Sequence, residues 1–121
     1  MLSYRDELAT IEATFVELEQ NIGLDLRHEL LSVYFVTQDE CLREIGHAIH
    51  QGQAAPIVVA AHKLKGAAAQ LGAKQMSATC ARLEQVARSG SLEGVEQDWQ
   101  HLADLGVQLG DALRPASATN P

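Results

Sequence analysis

Residues 56–72 read PIVVAAHKLKGAAAQLG, and the period of this stretch decides the fold. An α-helix turns about 100° per residue. With Leu64 at the centre of a buried face, Ile57, Ala60, Ala61, Ala68 and Leu71 all fall within about 60° of it. That spacing predicts a helix with one clean apolar stripe. Pro56 suits its first turn, and Gly72 suits a left-handed C-terminal cap. His62 falls about 160° from Leu64, close to the opposite pole. Around it on the outward face lie Val58 and Val59 one turn before, Gly66 one turn after, and Ala69 at the next turn. Lys65 sits on the shoulder, within side-chain reach of the imidazole.

Four further helical segments flank this one. The first runs from about Ser3 to Gln20, with Ser3 and Asp6 placed as in a capping box and an apolar stripe of Leu8, Ile11, Phe15 and Leu18. The second runs from about Asp25 to His50, its buried side marked by Leu30, Tyr34, Cys41, Leu42, Ile45 and Ile49. In the fourth, Met76, Cys80, Leu83 and Val86 keep helical spacing. The fifth starts after Ser91 and carries Leu92, Val95, Trp99, Leu102, Leu105 and Leu109. Breaks fall at NIGLD (21–25), QGQAAP (51–56), Gly72 and RSGS (88–91). Long helices joined by short connections predict antiparallel neighbours. The expected fold is all-α: an antiparallel four-helix bundle with an additional N-terminal helix. It forms one domain over residues 1–114, with a flexible tail at 115–121, PASATNP.

Composition supports this class and removes others. The 121 residues suit a single core, and 46% are hydrophobic while only 4% are aromatic. The core is therefore built of Leu, Ile, Val and Ala, which favours helices over a sandwich of strands. A net charge of −7 argues against a broad nucleic-acid surface, which needs the opposite sign. No apolar run reaches the roughly 20 residues of a membrane span, and MLSYRDELAT lacks the layout of a signal peptide. Cys41 and Cys80 have no metal-type spacing and are expected as free, buried thiols in a reducing compartment, the cytoplasm.

The outward face of the third helix is the unusual feature. Such a face ordinarily carries charge. Here a titratable nucleophile, His62, is bordered by Val58, Val59, Gly66 and Ala69, a small and partly apolar patch of the kind that docks a partner. Glycine inside a helix costs about 1 kcal/mol relative to alanine. At position 66 it removes the side chain beside the imidazole, so that another protein can approach the ring.

HKLKG followed by LG, that is His62, Leu64, Lys65, Gly66, Leu71 and Gly72, resembles the signature of histidine-containing phosphotransfer (HPt) domains. The family pattern is a histidine, a lysine and a glycine three and four positions later, and a glycine at the tenth. ATCARLE (78–84) is similar to the family's next helix, where a Gln or Glu near the position of Glu84 often lies beside the histidine. The resemblance covers about residues 25–113. It implies a bundle that accepts a phosphoryl group on His62 from a receiver-domain aspartate and passes it to another receiver. The implied partners are response-regulator receiver domains and a hybrid sensor histidine kinase, with no nucleic acid and no membrane. No autonomous kinase activity is implied. Position 67, often serine in the family, is Ala67, which removes a hydroxyl expected near the lysine.

The residue chemistry agrees with that implication. Neutral imidazole is a good nucleophile near pH 7. Lys65 can neutralise part of the charge on a phosphoryl group in transit. Glu84 can accept a hydrogen bond from the ring nitrogen that does not attack. The expected site is thus His62 as nucleophile, Lys65 for charge, Gly66 for access and Glu84 for orientation, within a partner surface of Val58, Val59, Lys65, Gly66 and Ala69. No cofactor or metal is expected on this chain, and Mg²⁺ is expected from the partner receiver. His47 and His50, spaced i,i+3, are expected to be solvated rather than to share a metal. The chain is expected to be a monomer, and its initial methionine and polar tail favour a free-standing protein. The alternative is a non-catalytic helical protein-interaction module, although docking alone requires neither His62 nor Lys65.

Overall fold

The computed structural model describes residues 3–118, and those residues contain five helices and no strand. They are α1 (Tyr4–Ile22), α2 (Arg27–His50), α3 (Ala55–Leu71), α4 (Lys74–Arg88) and α5 (Val95–Ala118). α3 packs chiefly against α4 and α2, α2 also packs against α5, and α4 closes the ring against α5. This is the expected four-helix bundle. α1 is the additional helix and touches α3, α4 and α5 lightly.

All six residues of the predicted stripe on α3, Ile57, Ala60, Ala61, Leu64, Ala68 and Leu71, are buried. Around them pack Ile45 of α2, Leu83 of α4 and Leu102 of α5, each fully buried. Burial of a side chain of this size stabilises by roughly 1.5–3 kcal/mol. The alanines on α3 let its neighbours approach closely. The same need appears between α2 and α5: a Cβ on Gly46 would stand 2.6 Å from Trp99. Trp99 fills that space and donates its indole N–H to the Leu42 carbonyl at 2.7 Å. Cys41 and Cys80 are free and buried, and burial pushes the Cys80 thiol up to about 12.

Most boundaries shift by a turn or less from those the sequence predicts. α1 continues to Ile22 and is capped by Gly23 at φ 80. α2 begins at Arg27 rather than Asp25, whose carboxylate instead accepts from the Arg27 N–H at 3.1 Å. α5 begins at Val95, because Gly94 takes φ 75 and breaks the helical path after Ser91. At the other end α5 runs through Pro115 to Ala118. The tail expected from residue 115 is therefore helical over its first four positions, and residues 119–121 lie outside the described residues.

A buried carboxylate positions the turn that carries the site. Ala73, which precedes α4, offers no capping side chain. Glu7 of α1 supplies the cap from a distance: its Oε1 accepts from the Gln75 N–H at 2.8 Å and its Oε2 from the Met76 N–H at 2.7 Å. The anion sits at the positive end of the α4 dipole, where first-turn N–H groups otherwise lack partners. Glu7 is wholly buried. Desolvation raises its pKa, and the two backbone hydrogen bonds oppose that rise. Around it, Ser3 and Gln75 exchange two hydrogen bonds. Thr10 donates to the carbonyl of Gly72, which caps α3 at φ 87. α1 thus pins the α3–α4 turn.

Glu7→Gln keeps the shape but has one carbonyl oxygen for two N–H donors, so it should destabilise the fold by about 1–3 kcal/mol. Glu7→Ala should cost more, because both donors lose their acceptor and a cavity opens. Chemical denaturation measures both. A midpoint equal to wild type in Glu7→Ala would show that α4 does not depend on this cap.

Candidate functional site

α3 presents His62 outward, with its side chain 65% exposed, while Glu84 on α4 lies beneath it at 7%. The two meet because α3 and α4 form the tightest pair of the bundle, reversing direction across Gly72 and Ala73. His62 Nδ1 lies 3.0 Å from Glu84 Oε2. Lys65 Nζ donates to Glu84 Oε1 at 2.6 Å. Arg88, one turn along α4 from Glu84, donates to Oε2 at 2.7 Å. One carboxylate is thereby shared among the histidine, the lysine and the arginine.

This arrangement decides the ring's tautomer. The hydrogen bond from Lys65 is the largest influence on Glu84, followed by that from Arg88. Together they hold its pKa at about 2, against the opposing effect of burial. An ionised carboxylate can only accept. Nδ1 must then carry the proton and donate it to Glu84, which leaves the lone pair on Nε2, the nitrogen available to a reagent.

The expected site residues separate into two flanks. Lys65 and Glu84 lie on the α4 side of His62, above a shallow hollow lined by Lys65, Ala81, Glu84, Gln85 and Arg88. A Cβ built on Gly66 meets nothing within 4 Å, so this glycine serves no internal packing. Val59 is 68% exposed, and Ala69 is exposed as well. Val58 differs from the expectation of a fully outward patch. It is half-buried against the core, beside Ala54, Ala87 and Arg88, because the end of α4 reaches it. Ala67 also differs: it borders the α2–α3 groove with Leu30, Tyr34 and Gln70, about 160° round the helix from Lys65. A hydroxyl there would face α2 and not the lysine. His47 and His50 are exposed at the end of α2. Among the described residues no group of three or more His, Cys, Asp or Glu is placed to hold a metal.

Arg88 was not legible as a site residue. Its one sequence signal is the i,i+4 spacing from Glu84, an arrangement common on solvated helix faces.

The Hpt domain family model matches residues 29–114. Among solved structures the chain is similar to histidine-containing phosphotransfer protein B (HptB) from Pseudomonas aeruginosa PAO1. The TM-score is 0.79, at 21% sequence identity, over 90% of this chain and 94% of that one. At that identity the likeness speaks for the fold. No curated protein sequence matches.

The depressed pKa of Glu84 makes part of the stability pH-dependent. Its folded value, about 2, lies below the ordinary 4.5. The group therefore stabilises the fold above the ordinary value, and that contribution is lost as pH falls from 4.5 towards about 2. Glu84→Gln has no proton to gain, so its stability should fall less steeply over this range. Urea midpoints measured from neutral pH down to pH about 2 check this. Parallel curves for the two proteins would contradict the ion pairing described here.

Proposed function

We propose, from the fact that this chain belongs to the Hpt domain family, that it is a phosphorelay intermediate with His62 as the phosphorylated residue. Family membership makes it a histidine phosphotransfer protein of two-component signalling, with response-regulator receiver domains as partners. The finer reading is that it accepts a phosphoryl group from the aspartate of one receiver, such as that of a hybrid sensor kinase, and delivers it to another. The observation that carries this reading is the exposed His62 ring, whose Nδ1 is held by Glu84 and whose Nε2 is free to attack.

In the forward step the Nε2 lone pair attacks the phosphorus of an aspartyl phosphate. The N–P bond forms, the P–O bond to the aspartate breaks, and its electron pair remains on the receiver's carboxylate. The Nδ1 proton stays on the ring, and Glu84 spreads the positive charge the ring acquires. Delivery to the next receiver is the same step reversed. The equatorial phosphoryl oxygens carry negative charge throughout. Lys65, on the shoulder of His62, is placed to take part of it. Gly66 leaves room for the receiver's backbone, and Val59 and Ala69 supply apolar surface around it. Val58 contributes only an edge. Mg²⁺ is brought by the receiver. In this reading the protein is a cytoplasmic monomer and has no kinase activity of its own.

Three substitutions test the reading by transfer from a phosphorylated receiver in single turnover. His62→Gln should abolish uptake with helix content and Tm nearly unchanged, since the ring is exposed. Uptake at another histidine would refute the assignment. Lys65→Ala should slow transfer by about ten- to a hundredfold, from a charge-assisted contact of about 1.5–3 kcal/mol. Lys63→Ala, on the α2 side of the helix, should change it little. Equal losses would indicate general steering instead of a specific contact. Gly66→Gln should slow transfer strongly while leaving the fold intact, because only open space is filled.

A further inference from the structure

We infer that Arg88 is a positioning residue of this site, acting through Glu84 to offset the carboxylate's charge so that the cluster can receive a phosphoryl group. The inference rests on the phosphotransfer reading above and goes beyond it, since neither the HPt pattern nor the sequence spacing assigns Arg88 a part.

The argument begins with Lys65. Its ammonium is not a free cation awaiting phosphate, because it is hydrogen-bonded to Glu84 Oε1 at 2.6 Å. Lysine and glutamate alone cancel, and with the reactive neutral imidazole they sum to zero. Transfer of a phosphoryl group from aspartate to Nε2 adds one negative charge to the site: PO₃⁻ moves, and the donor's bonding pair stays behind. Without a second cation the product would carry net negative charge beside a carboxylate that is already shielded from water. Arg88 supplies that cation. Its guanidinium bonds the same oxygen, Oε2, that receives the His62 Nδ1–H, so it lies no more than two hydrogen-bond lengths from the ring nitrogen. With Arg88 the cluster begins at one positive charge and ends neutral.

The same contact fixes geometry. Lys65 holds Oε1 from α3 while Arg88 holds Oε2 from α4 itself. The carboxylate is held at both oxygens and cannot rotate Oε2 away from Nδ1 without losing an ion pair. Arginine suits this role, since its planar, permanently charged fork matches a carboxylate. Its side chain is 62% exposed, so its removal leaves no cavity in the core.

The test uses the full chain and phosphoramidate, a small phosphoryl donor that removes receiver docking from the comparison. The N–P bond of the donor breaks and ammonia leaves as the N–P bond to His62 forms. Phosphohistidine is followed by ³¹P NMR and by mobility shift, with helix content and Tm recorded for each variant. Arg88→Gln should label about two- to fivefold more slowly than wild type, as expected for a partly solvated charge contact, with the fold unchanged. Arg88→Lys should recover most of the rate. In a Glu84→Gln background, adding Arg88→Gln should slow labelling no further, because the effect of Arg88 passes through the carboxylate. Equal rates for Arg88→Gln and wild type would overturn the role. A further loss on adding Arg88→Gln to Glu84→Gln would overturn it too, because Arg88 would then act on the phosphoryl group directly. Labelling of wild type that His62→Gln does not abolish would instead overturn the phosphotransfer reading, and this role with it.

Discussion

The carboxylate of Glu84 is the interaction on which the site depends. It belongs to α4, yet two of its three donors come from α3. It joins the helix that carries His62 to the helix that orients its ring. A buried charge with one partner removed is strongly destabilising, because the remaining charge loses its compensation without regaining water. Glu84 avoids that condition by having cations on both oxygens. The arrangement also explains how an exposed histidine has a defined tautomer. The ring is mostly in solvent, but the atom it bonds to is not, so water competes poorly for that hydrogen bond.

A second buried carboxylate, Glu7, makes a useful contrast. Both glutamates accept short hydrogen bonds, and both are shielded from solvent. Their pKa values nevertheless move in opposite directions. Glu84 meets two full positive charges, which outweigh desolvation. Glu7 meets only neutral backbone N–H groups at a helix N-terminus, and desolvation wins. The two act at opposite ends of α4. Glu7 fixes where the helix starts relative to α3 and α1, and Glu84 ties its later turns to α3. With the Gly72 cap between the helices, these contacts determine the register of α3 against α4, and the register places Glu84 under His62.

Most of this was legible where the signal was local. The α3 stripe follows directly from alanine, leucine and isoleucine at helical spacing, and the same wheel places His62 and Gly66 outward. The HPt-like pattern added Glu84 beside the ring. What escaped the sequence were interactions between residues far apart along the chain. Glu7 reads as a solvated first-turn acid of α1, and nothing near it shows that it caps a helix beginning at Lys74. Arg88 reads as one more surface cation, because its significance depends on sharing an oxygen with His62. Helix ends shifted for reasons that dihedral angles decide, such as the positive φ of Gly94. Val58 was placed outward because a wheel lacks the end of α4 that covers it, whereas the expectation of a hydroxyl near the lysine at Ala67 came with the family resemblance and not from the helix geometry.

Gly66 is a position on this surface that internal packing does not explain. Alanine there would favour the helix by about 1 kcal/mol, and its Cβ would meet only open space. No internal contact, turn or positive φ requires glycine at this position. A residue that weakens its own helix and relieves no internal crowding is explained by something outside the molecule. The same logic applies to exposed Val59, which protects no core. The two lie a turn to either side of His62, on the flank away from the charged hollow of Lys65, Glu84 and Arg88. The ring therefore stands at a border. One side gathers the cations of Lys65 and Arg88 around Glu84, and the other is small and apolar; in the proposed function the first takes the phosphoryl group and the second the receiver's surface. In the proposed relay, an aspartyl phosphate would have to satisfy both sides at once, and that requirement would orient the receiver before transfer.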